Sequence, residues 1–417
     1  SIPNFFRYFK KMQIRSRVSP RFFVKQIAAI TKENWKYAFN LFKYQMAKES
    51  FNLRHPFGAT HGRGDGIELV SLRITDMCNL RCHTCGQWGD NGYLHGTSLK
   101  ELKAREVPLE TYKNLVDQIA DKGWKPVWYI WGGEPMMYPG MVDLLYYIKE
   151  KGMPISMVSN GTKIGSIAKE IVDTCTILYL SVDGPNAEIH DTQRPAVSGK
   201  YSNFKDIQAA LSNVKTEKED RGTLFPYIVP LSCITSYNID YVVDLYKFTS
   251  EYADAQILYL TWWIDQASAI EHSKDYERRF GKKPQTHYGW IGDWNNFDHG
   301  IILDKYQEML DLSAEEGRCP PMMMPELTTK KDINTYYKDH TETFGYNQCV
   351  SIYMTLEIDS NGDVSLCRDY HDYIIGNIQE DRVEDMWNNE AAVKFRQSIS
   401  REGVMPVCRR CCGLMGF

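Results

Sequence analysis

From Glu68 to about Asp265 the chain alternates short apolar runs with amphipathic stretches of helical period. The apolar runs Glu68–Thr75, Val127–Trp131, Ile155–Ser159, Ile177–Val182, Tyr227–Ile234 and Gln256–Trp263 predict strands. The periodic stretches Leu109–Lys122, Met141–Lys151, Ile164–Asp173, Asn203–Lys218 and Ile239–Tyr252 predict helices. Apolar-rich strands separated by helices belong to parallel sheets with right-handed crossovers. Six such units fall short of a closed eight-stranded barrel. The expected fold class is therefore α/β, a partial (β/α)6 barrel of parallel strands with its chemistry at the carboxyl ends of the strands.

The pattern divides the rest of the chain into three further segments. Residues 1–67 read as a basic, aromatic, helical segment, with one stripe of Phe5, Phe6, Phe9 and Met12 and a second of Trp35, Phe39, Phe42 and Met46. Residues 266–345 lose the regularity, apart from a helix near Ile302–Glu315, and read as an irregular insertion and possible substrate lid. It carries His272, His287, Trp290, Asp293, Trp294, Asp298 and His299, none of them singled out as a substrate ligand. Residues 346–417 are cysteine-rich, and Ile358–Leu366 reads as a hairpin turning at Asn361-Gly362.

Composition narrows the class. A 417-residue chain with 43% hydrophobic and 24% charged residues is an ordinary globular protein. It has no run of 18 or more apolar residues and no secretory signal pattern. The net charge of -4 is unevenly spread: Ser1–Pro56 carries +10 and the remainder -14. Basic and aromatic residues together suit a helix on an anionic membrane surface, a site for an acidic substrate or leader peptide, or docking on the acidic remainder. Docking is the favoured reading, because aromatic stripes at helical spacing are usually core. Nothing predicts a nucleic-acid partner.

The cysteines change the picture most. Seven of the eleven fall in metal-type spacings, which favours a reducing, cytoplasmic setting over disulfides. Cys78, Cys82 and Cys85 stand at C-x3-C-x2-C in the loop after the first predicted strand. Three thiolates are one fewer than a closed zinc site or a fully ligated cubane needs. In the tail, Cys349-x12-Gly362-x4-Cys367 is followed by Cys408-x2-Cys411, a set that can close a zinc site or ligate a whole cubane. Cys412 beside Cys411 leaves two candidates for the last ligand. Cys175 and Cys233 read as inert core, and Cys319 has no assigned role.

Trp131-Gly132-Gly133-Glu134-Pro135 follows the second strand, Ser159-Asn160-Gly161-Thr162 ends the third, and Ser181-Val-Asp183-Gly184-Pro185 with His190-Asp191-x2-Arg194 follows the fourth. With the cysteine loop, these motifs resemble the radical S-adenosylmethionine (SAM) enzymes, and the tail resembles their SPASM/twitch branch with a single auxiliary cluster. The resemblance covers roughly Glu68–Phe417, with Thr84 standing where the family often has an aromatic residue. Trp88 is the candidate to pack on the adenine side instead.

The resemblance implies two [4Fe-4S] clusters, one on Cys78, Cys82 and Cys85 that binds SAM through its open iron, and one on Cys349, Cys367, Cys408 and Cys411. It implies that Gly132, Gly133, Glu134 and Pro135 hold the SAM amino group, with the Glu134 carboxylate as acceptor. Ser159 and Asn160 would serve the ribose or carboxylate, and Ser181 and Arg194 the carboxylate, while Asp183 and His190 form turns and support. The implied reaction is reductive cleavage of SAM and hydrogen abstraction from an unactivated carbon, fed by a flavodoxin or ferredoxin. A peptide, a lipid or a small molecule fits as substrate, the lipid reading placing the enzyme at the membrane surface. The alternative outside enzymology is a zinc-stabilised binding protein.

Overall fold

The computed structural model describes residues 44–55 and 59–415. Ten strands form one open sheet, edged by β10 (Ile374–Asn377), in the order β10-β9-β8-β1-β2-β3-β4-β5-β6-β7. Strands β1 (Leu69–Arg73), β2 (Val127–Trp131), β3 (Ile155–Ser159), β4 (Ile177–Ser181), β5 (Tyr227–Ile234) and β6 (Gln256–Leu260) occupy the six predicted positions and pair parallel in sequence order. Helices Leu109–Asp121, Met141–Glu150 and Asn203–Arg221 fall in the predicted crossovers. Their apolar stripes bury Leu115 and Ile119, Leu144 and Ile148, and Ile207 and Leu211 against the sheet. Side chains on the other face of the strands, among them Tyr129, Tyr179, Val229 and Ile257, form a separate cluster lining the barrel lumen.

Two strands extend this barrel beyond the six expected. β8 (Thr355–Ile358) pairs parallel with β1, in the register Leu69 to Thr355, and turns through the predicted hairpin into β9 (Asp363–Ser365), which is antiparallel. The C-terminal domain is thus joined to the barrel by a continuous sheet. At the other edge β7 (Pro321–Met324) pairs parallel with β6. It lies inside the segment read as irregular, and that reading is corrected here. Residues 266–345 contain helices Gln266–Phe280, Ile301–Glu316 and Lys330–Lys338 as well as β7. The strand Pro321-Met-Met-Met escaped notice because it has no β-branched residue and begins on the second residue of a Pro-Pro step.

Of the basic N-terminal segment, residues 1–43 lie outside the described residues, and 44–54 form a helix docked on the C-terminal domain. Tyr44 Oη shares a 3.0 Å hydrogen bond with Thr355 Oγ1 of β8. Phe51 stacks at 4.8 Å on Tyr353, and Lys48 lies between them, 6% exposed. The buried face is therefore Tyr44, Lys48 and Phe51, whereas Met46, assigned above to an apolar stripe, is 42% exposed. Among the described residues no helix is long and apolar enough to cross a membrane.

This docking predicts an asymmetry in stability. Phe51→Ala should cost about 3 kcal/mol, the usual figure for emptying a buried aromatic site, and Met46→Ala should stay within about 0.5 kcal/mol as a surface change. Equilibrium unfolding of the two variants checks it.

Candidate iron-sulfur and SAM site

The cysteine loop leaves the carboxyl end of β1 and is fastened to the loop that leaves β2. Gly133 N donates to Thr75 O at 2.7 Å, and Glu134 N donates to Met77 O at 2.8 Å. Two glycines make this approach possible. Gly132 sits at φ 146°, and a Cβ added at Gly133 would lie 2.2 Å from Met77 O.

Glu134 then turns inward. Its side chain is fully buried and accepts from Ser159 Oγ at 2.9 Å, Asn160 N at 2.8 Å and Met136 N at 3.1 Å. Burial pushes its carboxyl group up to about 7, against the pull of these donors. Its oxygens tie the β2 loop to the β3 loop. Ser159 and the Asn160 main chain, assigned above to SAM, serve the same tie. The Asn160 side chain spans the gap to the cysteine loop, with Nδ2 donating to Asn79 Oδ1 at 2.9 Å and lying 4.0 Å from Cys78 Sγ.

Each of the three sulfurs has an N–H directed at it. Leu80 N donates to Cys78 Sγ at 3.4 Å, Trp88 N to Cys85 Sγ at 3.4 Å, and Arg194 Nη1 to Cys82 Sγ at 3.5 Å. Burial holds the free Cys82 thiol up at about 11 while the Arg194 charge opposes it. Donors on all three sulfurs suit thiolate ligands, so the residues fit an iron-sulfur cluster. Arg194 is also held by Asp183, which accepts from its Nε at 2.5 Å. Asp183 in turn accepts from Cys233 N at 2.7 Å, and His190 Nδ1 accepts from Asp183 N at 3.2 Å. Part of the Arg194 fork is thus engaged within the chain. Ser181 ends β4, half-buried. Trp88 does not offer an adenine face: its indole is buried, donates to Asp76 O at 2.7 Å and carries Arg81 over its ring at 4.0 Å.

The tail sulfurs form a second group. Burial raises the Cys367 thiol far above its ordinary range, and neighbouring Cys408 and Cys349 add to the effect. Cys411 feels Cys408 and Cys367 and accepts from Gly413 N at 3.3 Å. Cys412 lies 3.1 Å from Asp369 Oδ2 and bears instead on the lumen tyrosines Tyr129 and Tyr259. The ligand atoms of Asp369, Cys411 and Cys412 are within 4.8 Å of one another. Cys349, Cys367, Cys408 and Cys411 are thus electrostatic neighbours, a donor set that suits a fully ligated cluster. Cys175 is buried core, Cys233 is half-buried, and the Cys319 carbonyl accepts from Tyr246 Oη at 2.6 Å.

Residues that sequence reasoning passed over join the two groups. Arg73, at the end of β1, bonds Asp359 at 2.8 Å and His371 Nε2 at 3.0 Å and also contacts Tyr93. A buried arginine inside a strand was the available signal. Arg368 pairs with Glu357 at 3.5 Å and covers the Tyr129 ring at 4.5 Å.

The insertion, read above as a possible lid, bridges the cluster loops. A Cβ at Gly86, next to Cys85, would lie 2.4 Å from the Trp290 ring, whose Nε1 donates to Asp369 O at 3.2 Å. Asn91 Nδ2 donates to Ile291 O at 2.8 Å, and Trp294 Nε1 to Asp90 Oδ2 at 3.0 Å. On the other side Thr286 Oγ1 donates to Asp372 at 2.7 Å.

Gly133→Ala should therefore act on both loops at once. It should cost about 3 kcal/mol, the upper range for overpacking, and lower the iron bound at the three-cysteine site. Thermal unfolding and iron analysis of the reconstituted variant check this.

Known proteins agree with the geometry. The radical SAM superfamily matches residues 72–230, and SPASM, an iron-sulfur cluster-binding domain, matches residues 349–412. An AdoMet-dependent heme synthase of Methanosarcina barkeri is 22% identical over 82% of this chain and 88% of its own. The antilisterial bacteriocin subtilosin biosynthesis protein AlbA of Bacillus subtilis is 29% identical over 30% of this chain and 26% of its own. SuiB of Streptococcus suis, solved bound to S-adenosylmethionine, shares the fold with a TM-score of 0.57 at 15% identity, over 91% of this chain and 83% of that one. This chain belongs to the radical SAM superfamily and carries a C-terminal SPASM domain.

Proposed function

We propose that this enzyme reductively cleaves SAM and removes hydrogen from an unactivated substrate carbon, holding one cluster on Cys78, Cys82 and Cys85 and an auxiliary one on Cys349, Cys367, Cys408 and Cys411. The observation that carries the reading is the set of three thiols in one loop, each with an N–H aimed at its sulfur. When bound, such a cluster chelates SAM and supplies the electron that splits its sulfonium into methionine and the 5'-deoxyadenosyl radical. The chain's own part is to fix the sulfurs and to direct N–H donors at them.

Arg194 serves Cys82 with one arm of its fork and is oriented by Asp183 with another. Gly132 and Gly133 let the β2 loop lie against the cysteine loop. Cys408 and Cys367 bear electrostatically on Cys411 and not on Cys412 among its leading neighbours, which supports Cys411 as the fourth auxiliary ligand. An auxiliary cluster with four protein ligands has no open position, which suits it to accept an electron from a substrate radical. The packing of residues 44–54 on the C-terminal domain supports internal docking of that part of the basic segment over a membrane role.

Replacing Cys78, Cys82 and Cys85 together by Ala should abolish 5'-deoxyadenosine formation from SAM under reducing, anaerobic conditions. Undiminished formation would end the reading, as would zinc without sulfide in the native protein. A second variant, Cys349→Ala with Cys367→Ala, should keep SAM cleavage while losing the auxiliary cluster's signal in the electron paramagnetic resonance spectrum. Retention of both cluster signals in that variant would reject the auxiliary assignment.

A further inference from the structure

The barrel strands alternate in accessibility as well as in side. On β2, β5 and β6 the positions Trp128, Ile130, Ser232, Leu258 and Leu260 are buried, whereas Tyr129, Trp131, Leu231, Cys233 and Tyr259 between them are half-buried. Successive side chains of a strand point to opposite faces, so the half-buried set shares the face of Tyr129, Tyr179, Val229 and Ile257, which is the lumen face. A residue inside a sheet keeps accessible surface only where its face is not packed. The lumen is therefore an open chamber toward the carboxyl ends of the strands, closed below by buried Val229 and Ile257.

One guanidinium enters this chamber from the C-terminal domain. Arg368 stands over the Tyr129 ring at 4.5 Å. Its charge also acts on the hydroxyls of Tyr179 and Tyr259, so it is close to lumen side chains of β2, β4 and β6. Its ion-pair partner is Glu357 of β8, with Nε and Oε1 3.5 Å apart. That distance leaves the buried Nε without a hydrogen-bond partner among the described residues. Asp369, the other carboxylate beside it, is engaged by Cys412 Sγ at 3.1 Å. Arg73 at the end of β1 differs, because its Nη2 is tied to both Asp359 and His371. A guanidinium has five N–H groups, and each one buried without an acceptor opposes folding.

We propose that Arg368 anchors a carboxylate of the substrate, with Tyr129, Tyr179 and Tyr259 as walls for the apolar or aromatic body attached to it. The inference rests on the radical SAM reading above and names the substrate class of that same site. Glu357 approaches the guanidinium at its Nε edge, which leaves the terminal Nη pair to take both carboxylate oxygens, the match that the planar fork makes best. The Tyr129 ring beneath it holds the fork in place. A monoanion is favoured over a phosphate dianion, because Glu357 already lies beside the same cation. Tyr129 lies three positions before Gly132, roughly 10 Å of strand. The anchored carboxylate thus sits well below the cysteine loop, and the carbon that faces the loop is several bonds away from it.

The test is anaerobic equilibrium dialysis of the reconstituted holoenzyme against three probes of similar shape: benzoate, benzamide and phenyl phosphate. Wild type should bind benzoate at millimolar concentration and about tenfold or more tightly than neutral benzamide. Arg368→Gln should lose about tenfold or more in benzoate affinity and keep its affinity for benzamide. Arg368→Lys should fall between, since lysine keeps the charge without the fork. Iron content and the visible absorption of the clusters report whether each variant is folded. If neither variant holds its clusters, the ratio of benzoate to benzamide affinity in wild type decides alone. Equal affinity for those two probes, or benzoate binding untouched by Arg368→Gln, would overturn the proposal. Tighter binding of phenyl phosphate would overturn it by assigning the cation to a phosphate group, and no binding of benzoate would leave the guanidinium to water. 5'-Deoxyadenosine formed from SAM by wild type is read in parallel. Its absence would remove the radical SAM reading, whereas its presence with failed benzoate discrimination would remove the carboxylate anchor alone.

Discussion

The two main-chain hydrogen bonds between the β1 and β2 loops are the constraint on which the candidate site depends. Gly133 N to Thr75 O and Glu134 N to Met77 O set the cysteine loop at a fixed height above the sheet. Side chains on Gly132 or Gly133 would force the loops apart, since the would-be Cβ atoms fall on Thr75 and Met77 carbonyls. Glu134 extends the same constraint to β3, because a buried carboxylate must be met by donors or it opposes folding. Its donors come from Ser159, Asn160 and Met136. Asn160 then reaches back to Asn79, one residue past Cys78. Three strand ends are thereby locked around one sulfur.

A second constraint relates the two cysteine groups. β8 continues the barrel sheet from β1, so the C-terminal domain shares the barrel's register rather than hanging from it by a linker. Arg73 crosses the same junction to Asp359 and His371. Burial, with the Arg73 charge beside it, holds His371 well below its ordinary range, and its Nε2 lies 3.0 Å from the Arg73 guanidinium. On the opposite side Trp290 touches Gly86 and donates to Asp369. Sheet, ion pair and insertion thus hold the loops of Cys85 and Cys367 at a set separation.

Much of this was legible from residue pattern. All six predicted strands are present, with three at the same bounds, because apolar runs between amphipathic helices leave few alternatives. The cysteine spacing and the Asn-Gly hairpin were equally plain. The insertion was not, because its helix Gln266–Phe280 buries a polar-rich face, including His272 and Ser268, and β7 is built from methionines. The surroundings of Glu134 and Trp88 were hidden for a different reason. A motif gives the order of residues but not the direction of a side chain, and here the carboxylate and the indole both point into the protein.

The three sulfurs pose an electrostatic demand that the loop meets with several different atoms. A cluster held by thiolates carries negative charge, and burying it requires donors at close range. Leu80 N, Trp88 N and Arg194 supply them from the chain itself. Arg81 adds a charge beside them, its guanidinium bonded to the Cys78 and Leu80 carbonyls. Stacking on Trp88 keeps the side chain there. One arginine so placed neutralises the loop toward solvent without withdrawing any donor from the sulfurs.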